Sequence, residues 1–161
     1  MEKKILIAVD LNFETGFVLS KAASFFRENS VRFYILHIIS ADIFTSLGKQ
    51  STVKLRSEEA YKSAENEIKE AGLYYLNYEI FISIGVPATE ILNFSKKKGI
   101  DLIALGTHQR IGFKEFVSGS VSFSVSKNSP CPVLLIPLRD AVKTSEKHLV
   151  KESAVSLINP S

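Results

Sequence analysis

The chain has 161 residues and is 45% hydrophobic, which is the size of one domain with enough apolar residues to bury a core unaided. Its net charge of +3 is too small to predict a nucleic-acid surface. The single cysteine, Cys131, excludes an internal disulfide and a cysteine-based zinc cluster. The first apolar run, residues 5–9, is too short for a signal peptide or a membrane span. We therefore expect a cytoplasmic protein with no membrane and no nucleic acid among its partners.

The first half of the chain predicts two strands and two helices. Residues 5–9 and 32–39 are apolar runs typical of strands that are covered on both faces in a parallel sheet. Asn12 is expected to cap a helix that ends near residues 27–29 and buries a stripe of Val18, Leu19, Ala22, Ala23, Phe25 and Phe26. After a loop over residues 40–56, Ser57 is expected to cap a second helix, with a buried stripe of Ala60, Tyr61, Ala64, Ile68 and Ala71 and an end at Gly72.

The second half predicts three more strands, over residues 77–84, 101–105 and 133–136. Gly106 is expected to end the fourth strand and Pro137 the fifth. Pro87 is expected to open the helix after the third strand, and Gly99 to end it. The alternation of strands and helices predicts one three-layer, doubly wound α/β domain with a five-stranded parallel sheet.

Residues 117–126 fit two different patterns. Their strict alternation predicts a half-buried strand. A helix would instead place Val117, Val121 and Val125 on one face, and it would supply the crossover that a parallel fifth strand requires. We favour the helix. Residues 139–161, beyond the predicted domain of residues 1–138, are expected to form a weakly structured extension or a docked helix.

The fold predicts where a ligand would bind. In open α/β sheets, ligands lie beyond the carboxyl ends of the strands, at the point where strand order reverses. This rule indicates Asp10, residues 38–41 and the segment that starts at Gly106. That segment leads to Gly119-Ser120 before a helix, where backbone N–H groups and the helix dipole can hold phosphate. Glycines that turn the chain and a serine N-cap would produce the same letters, so both interpretations stay open.

The motifs together resemble the universal stress protein family over roughly residues 2–138. The resemblance is carried by Ile5 to Asp10, Leu36-His37-Ile38, Gly85-Val86-Pro87, Asp101 to His108, Gly119-Ser120 and Pro130-Cys131-Pro132-Val133-Leu134. Its most specific part is the loop after the fourth strand, where nucleotide-binding members carry Gly, two residues, Gly, nine residues, and then Gly and Ser or Thr. The resemblance implies strand order 3-2-1-4-5 with helices on both faces. It also implies a regulatory stress-response protein that binds ATP or AMP with Mg²⁺.

One position departs from the family's nucleotide motif. By resemblance, Gly106 matches the first glycine, Gly119 the third and Ser120 the hydroxyl residue, while Ser122 lies at a second hydroxyl position of binding members. Gln109 stands at the second glycine. A glycine there lets the backbone approach the phosphates, whereas glutamine adds a side chain along the ligand's path. Some family members that are not thought to bind ATP also lack this glycine.

The resemblance implies further contacts. Asp10 and the backbone of Ile38 would contact adenosine, and the other loop residues of the expected site are Thr107, His108, Arg110 and Val121. A homodimer is also implied, because the fifth strand would leave an open apolar edge unless it paired with a second copy. The expected interface residues are Val133, Leu134, Leu135 and Ile136.

Two functions remain open at this point. The first is a regulatory protein that binds adenine nucleotide weakly or in an altered manner, which we favour. It would at most hydrolyse ATP or autophosphorylate slowly, with Ser120 or Ser122 near the γ-phosphate. The second is a nucleotide-independent, dimeric interaction protein with an unknown protein partner, in which Gln109 has abolished ATP binding. A metabolic enzyme is not predicted, because the chain has no P-loop, no dinucleotide fingerprint and no nucleophile elbow.

Overall fold

The computed structural model describes residues 2–12, 14–26, 30–40, 50–108 and 121–138. Strands and helices alternate along these residues as the sequence predicts. The elements are β1 Lys3–Val9, α1 Thr15–Ser24, β2 Val31–Ser40, α2 Gln50–Glu70, β3 Tyr78–Gly85, α3 Pro87–Lys98, β4 Leu102–Thr107, α4 Val121–Asn128 and β5 Val133–Pro137.

The five strands form one parallel sheet in the order β3-β2-β1-β4-β5. The predicted strand order is therefore confirmed. β1 is the central strand, and its Ile5 pairs with Phe33 of β2 on one side and with Leu102 of β4 on the other. β3 and β5 are the two edge strands of the described sheet.

Helices cover both faces of the sheet, as expected. Because successive residues of a strand point to opposite faces, β1 contributes to two cores. Ile5 and Ile7 pack with residues of α1 and α2, among them Leu19 and Ile68. On the other face, Leu6 lies in a second cluster with residues of α3 and α4, including Ile91 and Val125. This two-sided burial explains the uninterrupted apolar run at the start of the chain.

The start and the end of α1 differ from the prediction. Asn12 is not the N-cap; Glu14 holds that position, and the Asn12 Oδ1 atom accepts a hydrogen bond from the Glu14 N–H at 3.0 Å. Asn12 therefore closes an Asx turn before the helix. Phe25 is exposed rather than part of the buried stripe. The helix ends at Ser24, and it is Phe26 that packs against the core, 6.4 Å from the Phe33 ring.

α2 begins earlier than expected. It includes residues 50–56, which were predicted as loop, and Ser57 lies within it rather than at its cap. The Ser57 hydroxyl donates to the Val53 carbonyl at 2.9 Å, one helical turn back. Ala64 and Ile68 are buried as predicted, but Tyr61 is exposed. Much of α2 faces solvent, so its first turns lack the regular spacing of buried apolar residues by which a sequence indicates a helix.

The last part of the sheet confirms one prediction and corrects two. The helix favoured for residues 117–126 is confirmed over residues 121–126, which belong to α4, while residues 117–120 lie outside the described residues. Its buried residues are Ser122 and Val125, whereas Val121 is exposed, and Val117 lies outside the described residues. Gly106 does not end β4: the ladder continues, so that Gly106 pairs with Ile136. None of the described helices is long and apolar enough to cross a membrane.

An aromatic cluster beneath α3 surrounds one lysine. The rings of Phe81 and Phe94 lie 4.9 Å apart, and Tyr34 lies within 6.0 Å of each. The Lys98 ammonium nitrogen is 4.7 Å from the Phe81 ring centre, 5.7 Å from that of Tyr34 and 6.0 Å from that of Phe94. A cation over several ring faces is attracted by their electron density, so Lys98 ties the end of α3 to β2 and β3.

We predict that Lys98→Met lowers the free energy of unfolding by about 1 kcal/mol, because it removes the cation but keeps an apolar side chain of similar length. Lys97→Met is the matched control, since exposed Lys97 shares the last turn of α3 and therefore the same helix-dipole interaction. Urea unfolding measures both variants. Equal losses would show that the aromatic cluster contributes nothing beyond the helix dipole.

Candidate functional site

A cleft lies at the carboxyl ends of β1 and β4. Its volume is about 80 Å³, and its walls come from the end of β1, the turn and first residues of α1, and parts of β2, α3, β4 and α4. Complete small-molecule sites typically measure ~300–1,000 Å³, so these walls enclose only part of a nucleotide. The position is the one where strand order reverses around β1, as the sequence predicted.

A tight turn after β1 forms one side of the cleft. Leu11 has a positive φ of 54°, a backbone conformation that is uncommon for residues other than glycine. The turn leaves Asp10 exposed at the end of the strand and directs the chain into α1. On the neighbouring strand, the Nδ1 atom of His37 lies 2.9 Å from the Val9 carbonyl oxygen, and this contact ties β2 to β1 beside Ile38.

Gly106 and Leu138 pack against each other at the opposite side. A Cβ atom on Gly106 would lie 2.9 Å from the Cδ2 atom of Leu138, closer than carbon atoms normally approach. The Leu138 N–H donates to the Thr107 carbonyl at 3.0 Å, which fixes the chain at the point where it leaves β5. In the described packing, a side chain at position 106 would force Leu138 to shift, whether or not a ligand is bound.

Glu14 is a residue of the cleft that the sequence did not indicate. It is only 3% exposed, and its Oε2 atom lies 3.2 Å from the Nε2 atom of His108. The Asn12 amide nitrogen is 3.4 Å from the same oxygen. The one signal in the sequence was an acidic residue next to a predicted helix start. A negative charge there interacts favourably with the positive end of the helix dipole. That signal does not distinguish a surface residue from a buried one.

The predicted site residues fall into three groups. Asp10, Ile38, Gly106, His108 and Val121 line the cleft together. Thr107 and Ser122 are buried and are not among the lining residues, and their hydroxyl oxygens lie 3.4 Å apart. Four expected site residues lie outside the described residues, namely Gln109, Arg110, Gly119 and Ser120.

Charge within the cleft is negative where it is described. Asp10 and Glu14 are carboxylates, and none of the described lining residues is Lys or Arg. In the described part of the chain, no three His, Cys, Asp or Glu side chains are placed to hold a metal ion. The described walls therefore offer hydrogen-bond acceptors and apolar contact, which suit a nucleoside better than a phosphate group.

The comparisons with known proteins agree with the fold and the motifs. The family model described as the universal stress protein family matches residues 1–137. Universal stress protein YxiE of Bacillus subtilis is 32% identical over 148 residues, with 84% of this chain and 99% of that protein covered. The solved structure of protein MJ0577, from Methanocaldococcus jannaschii, has a TM-score of 0.70 at 29% identity, over 85% of this chain and 96% of that one. The chain belongs to the universal stress protein family, which confirms the resemblance seen in its motifs.

More distant structures of the same family contain nucleotides. A universal stress protein of Archaeoglobus fulgidus, in complex with dAMP, has a TM-score of 0.59 at 22% identity, over 83% of this chain and 97% of that one. A family protein of Arabidopsis thaliana with AMP bound has a TM-score of 0.58 at 16% identity, over 84% and 91%. At these identities the likeness shows the shared fold.

We predict that Gly106→Ala destabilises the protein by about 1–3 kcal/mol, because the added methyl group overlaps Leu138. Leu138→Ala alone should also destabilise, through the cavity it leaves. The double variant should lose less unfolding free energy than the sum of the losses in the two single variants, because the truncated side chain makes room for the methyl group. Urea unfolding of all three proteins measures this coupling.

Gly16→Ala is the control, since among the described residues a Cβ atom there would meet the Glu67 carboxylate at 3.5 Å, an ordinary contact, and nothing nearer. It should leave stability unchanged or slightly raised. Additive losses for the Gly106 and Leu138 substitutions would contradict the packing described above.

Proposed function

We propose that this protein binds adenine nucleotides, as a regulatory protein, in the cleft at the carboxyl ends of β1 and β4. The observation that carries the proposal is the meeting of Asp10, Ile38, Gly106 and Val121 in this one cleft, as expected from the family's binding motif. Family members with the same fold contain AMP, dAMP or cAMP, which supports the ligand class.

The proposed roles follow from the chemistry of the walls. The Asp10 carboxylate accepts hydrogen bonds from the sugar or the base, and the Ile38 backbone and neighbouring apolar side chains contact the adenine ring. We assign the phosphates to the segment from His108 to Ser122 by its motif. The described walls contain no metal cluster, so Mg²⁺ would arrive with the phosphates, its usual partners.

Gln109 supports a second candidate function. A glutamine where binding members have glycine favours weak or altered binding, or a nucleotide-independent interaction protein that retains only the fold. The two functions differ in what the substitution Gln109→Gly does. If the native protein binds nucleotide, the glycine changes affinity little; if binding has been lost, the glycine restores it.

The test measures occupancy and affinity on one preparation. Protein purified without nucleotide is denatured, released adenine nucleotides are quantified by chromatography, and AMP and Mg-ATP are titrated by calorimetry into native protein and Gln109→Gly. We expect measurable AMP binding by the native protein and less than about a threefold change in the variant. Native protein that is empty and shows no binding heat, together with a variant that binds, would establish the second function instead.

We further propose that the protein forms a homodimer through β5. β5 pairs with β4 alone in the described sheet, so its other edge is open to a second strand. Leu135 is 38% exposed on this strand, and Val133 and Leu134 are half-buried. Ile136 is only 4% exposed, so its side chain belongs to the core and it would contribute through its backbone.

Light scattering after size exclusion tests the dimer. Native protein at micromolar concentration should have twice the chain mass, and Leu135→Lys should shift it to monomer, because a lysine on a paired edge is unfavourable. Leu55→Lys is the control, since it introduces the same change on exposed α2 and should leave the dimer intact. A native protein of single-chain mass would refute the proposal.

A further inference from the structure

We propose that Glu14 is a specificity-determining residue of this cleft, which disfavours adenine ligands in proportion to the negative charge that they bring to His108. The inference rests on the proposed function and names the ligands that the same site prefers. Adenosine and its least phosphorylated forms would bind in preference to ATP.

The side chain of Glu14 is almost completely buried. Its side chain is 4% exposed, while that of its partner His108 is 73% exposed. A carboxylate this deeply buried acts through a medium of low dielectric constant, where water screens its charge poorly. Asp10 adds a second carboxylate to the same cleft, and the described lining residues supply no Lys or Arg to compensate.

The position of the carboxylate is fixed by its neighbours. Glu14 stands at the N-cap of α1, yet its side chain makes no capping hydrogen bond there. Asn12 holds it instead: the Asn12 Oδ1 atom accepts from the Glu14 N–H at 3.0 Å, and the Asn12 amide nitrogen lies 3.4 Å from Oε2. The amide carries no charge, so the cleft retains the negative charge apart from the partial compensation by the α1 dipole.

His108 connects this charge to the ligand. It is the last described residue before the segment that matches the family's phosphate loop, and its Nε2 atom already faces Glu14 at 3.2 Å. A phosphate group that approaches this nitrogen must compete with the carboxylate for the same donor and meets a like charge at short range. The hydroxyl groups of an uncharged nucleoside would instead donate to the carboxylate.

The test is a series of ligands of increasing charge. Adenosine, AMP and ATP are titrated at pH 8 into the native protein and into Glu14→Gln. A pH this high favours the ionised form of the control residue Glu67. Burial, and to a smaller extent the negative charge of neighbouring Glu70, raises the pKa of that carboxyl group. Glu14→Gln should improve AMP binding relative to adenosine by about tenfold, and ATP binding by more, because the amide keeps the size but not the charge.

Two controls separate charge from structure. Glu14→Asp keeps the charge and should keep most of the native preference. Glu67→Gln removes one charge beside α1 but outside the cleft lining, and it should change no ligand ratio. If Glu14→Gln fails to fold, exposed His108 provides a second variant: His108→Ala should shift the preference further towards adenosine, since it removes the side-chain donor and leaves the carboxylate.

The outcomes distinguish this inference from the function on which it rests. Equal changes for all three ligands in Glu14→Gln would overturn the role of Glu14 while leaving nucleotide binding in place. The same holds if His108→Ala shifts the preference towards AMP. Absence of binding by all three ligands to the native protein would refute the proposed function, and the inference with it.

Discussion

The central position of β1 determines where this protein can hold a ligand. β1 pairs with β2 on one side and β4 on the other, and its residues Ile5, Leu6 and Ile7 are almost fully buried between two layers of helices. The chain leaves β1 through α1 on one face, whereas α3, on the other face, precedes β4. Helices that depart to opposite faces leave an opening between the carboxyl ends of the two strands. The cleft is therefore a consequence of topology, and the side chains decide what it binds.

Packing within the protein accounts for two features of the cleft without any ligand. By resemblance Gly106 matches the first glycine of the family's nucleotide motif, but the close approach of Leu138 also favours glycine there. Glu14 likewise owes its place to the Asx turn that Asn12 forms before α1. The motif and the packing are compatible, because a backbone without a side chain at the strand end serves both. Evidence for nucleotide binding must therefore come from the combination of residues rather than from the glycine.

Much of the fold could be predicted from the sequence because its strongest signals are local. Unbroken apolar runs indicate strands that are buried on both faces, and the proline and glycine around α3 mark its ends with little ambiguity. The strand order required the family resemblance, since no local pattern specifies which strands are neighbours. Helix starts were less predictable: Asn12 and Ser57 are both good capping residues, yet one lies before the cap and the other inside a helix.

The candidate site was predictable where it follows strand ends and unpredictable where it depends on distant contacts. Asp10 and Ile38 follow from the rule for parallel sheets. Glu14 and Leu138 do not, because each enters the cleft through a partner far away in the chain, His108 in one case and Gly106 in the other. No periodicity in the sequence encodes such pairs, so side-chain burial and the two contact distances were needed to find them.

The most direct test of the account is an amide NMR titration with AMP, since it reports both binding and its location. The account predicts chemical-shift changes concentrated at Val9 and Asp10, at Ile38, from Gly106 to His108 and at Val121 and Ser122, with little change along α2. Shifts that stay unchanged at millimolar AMP, or changes that cluster at the amino ends of the strands, would contradict it.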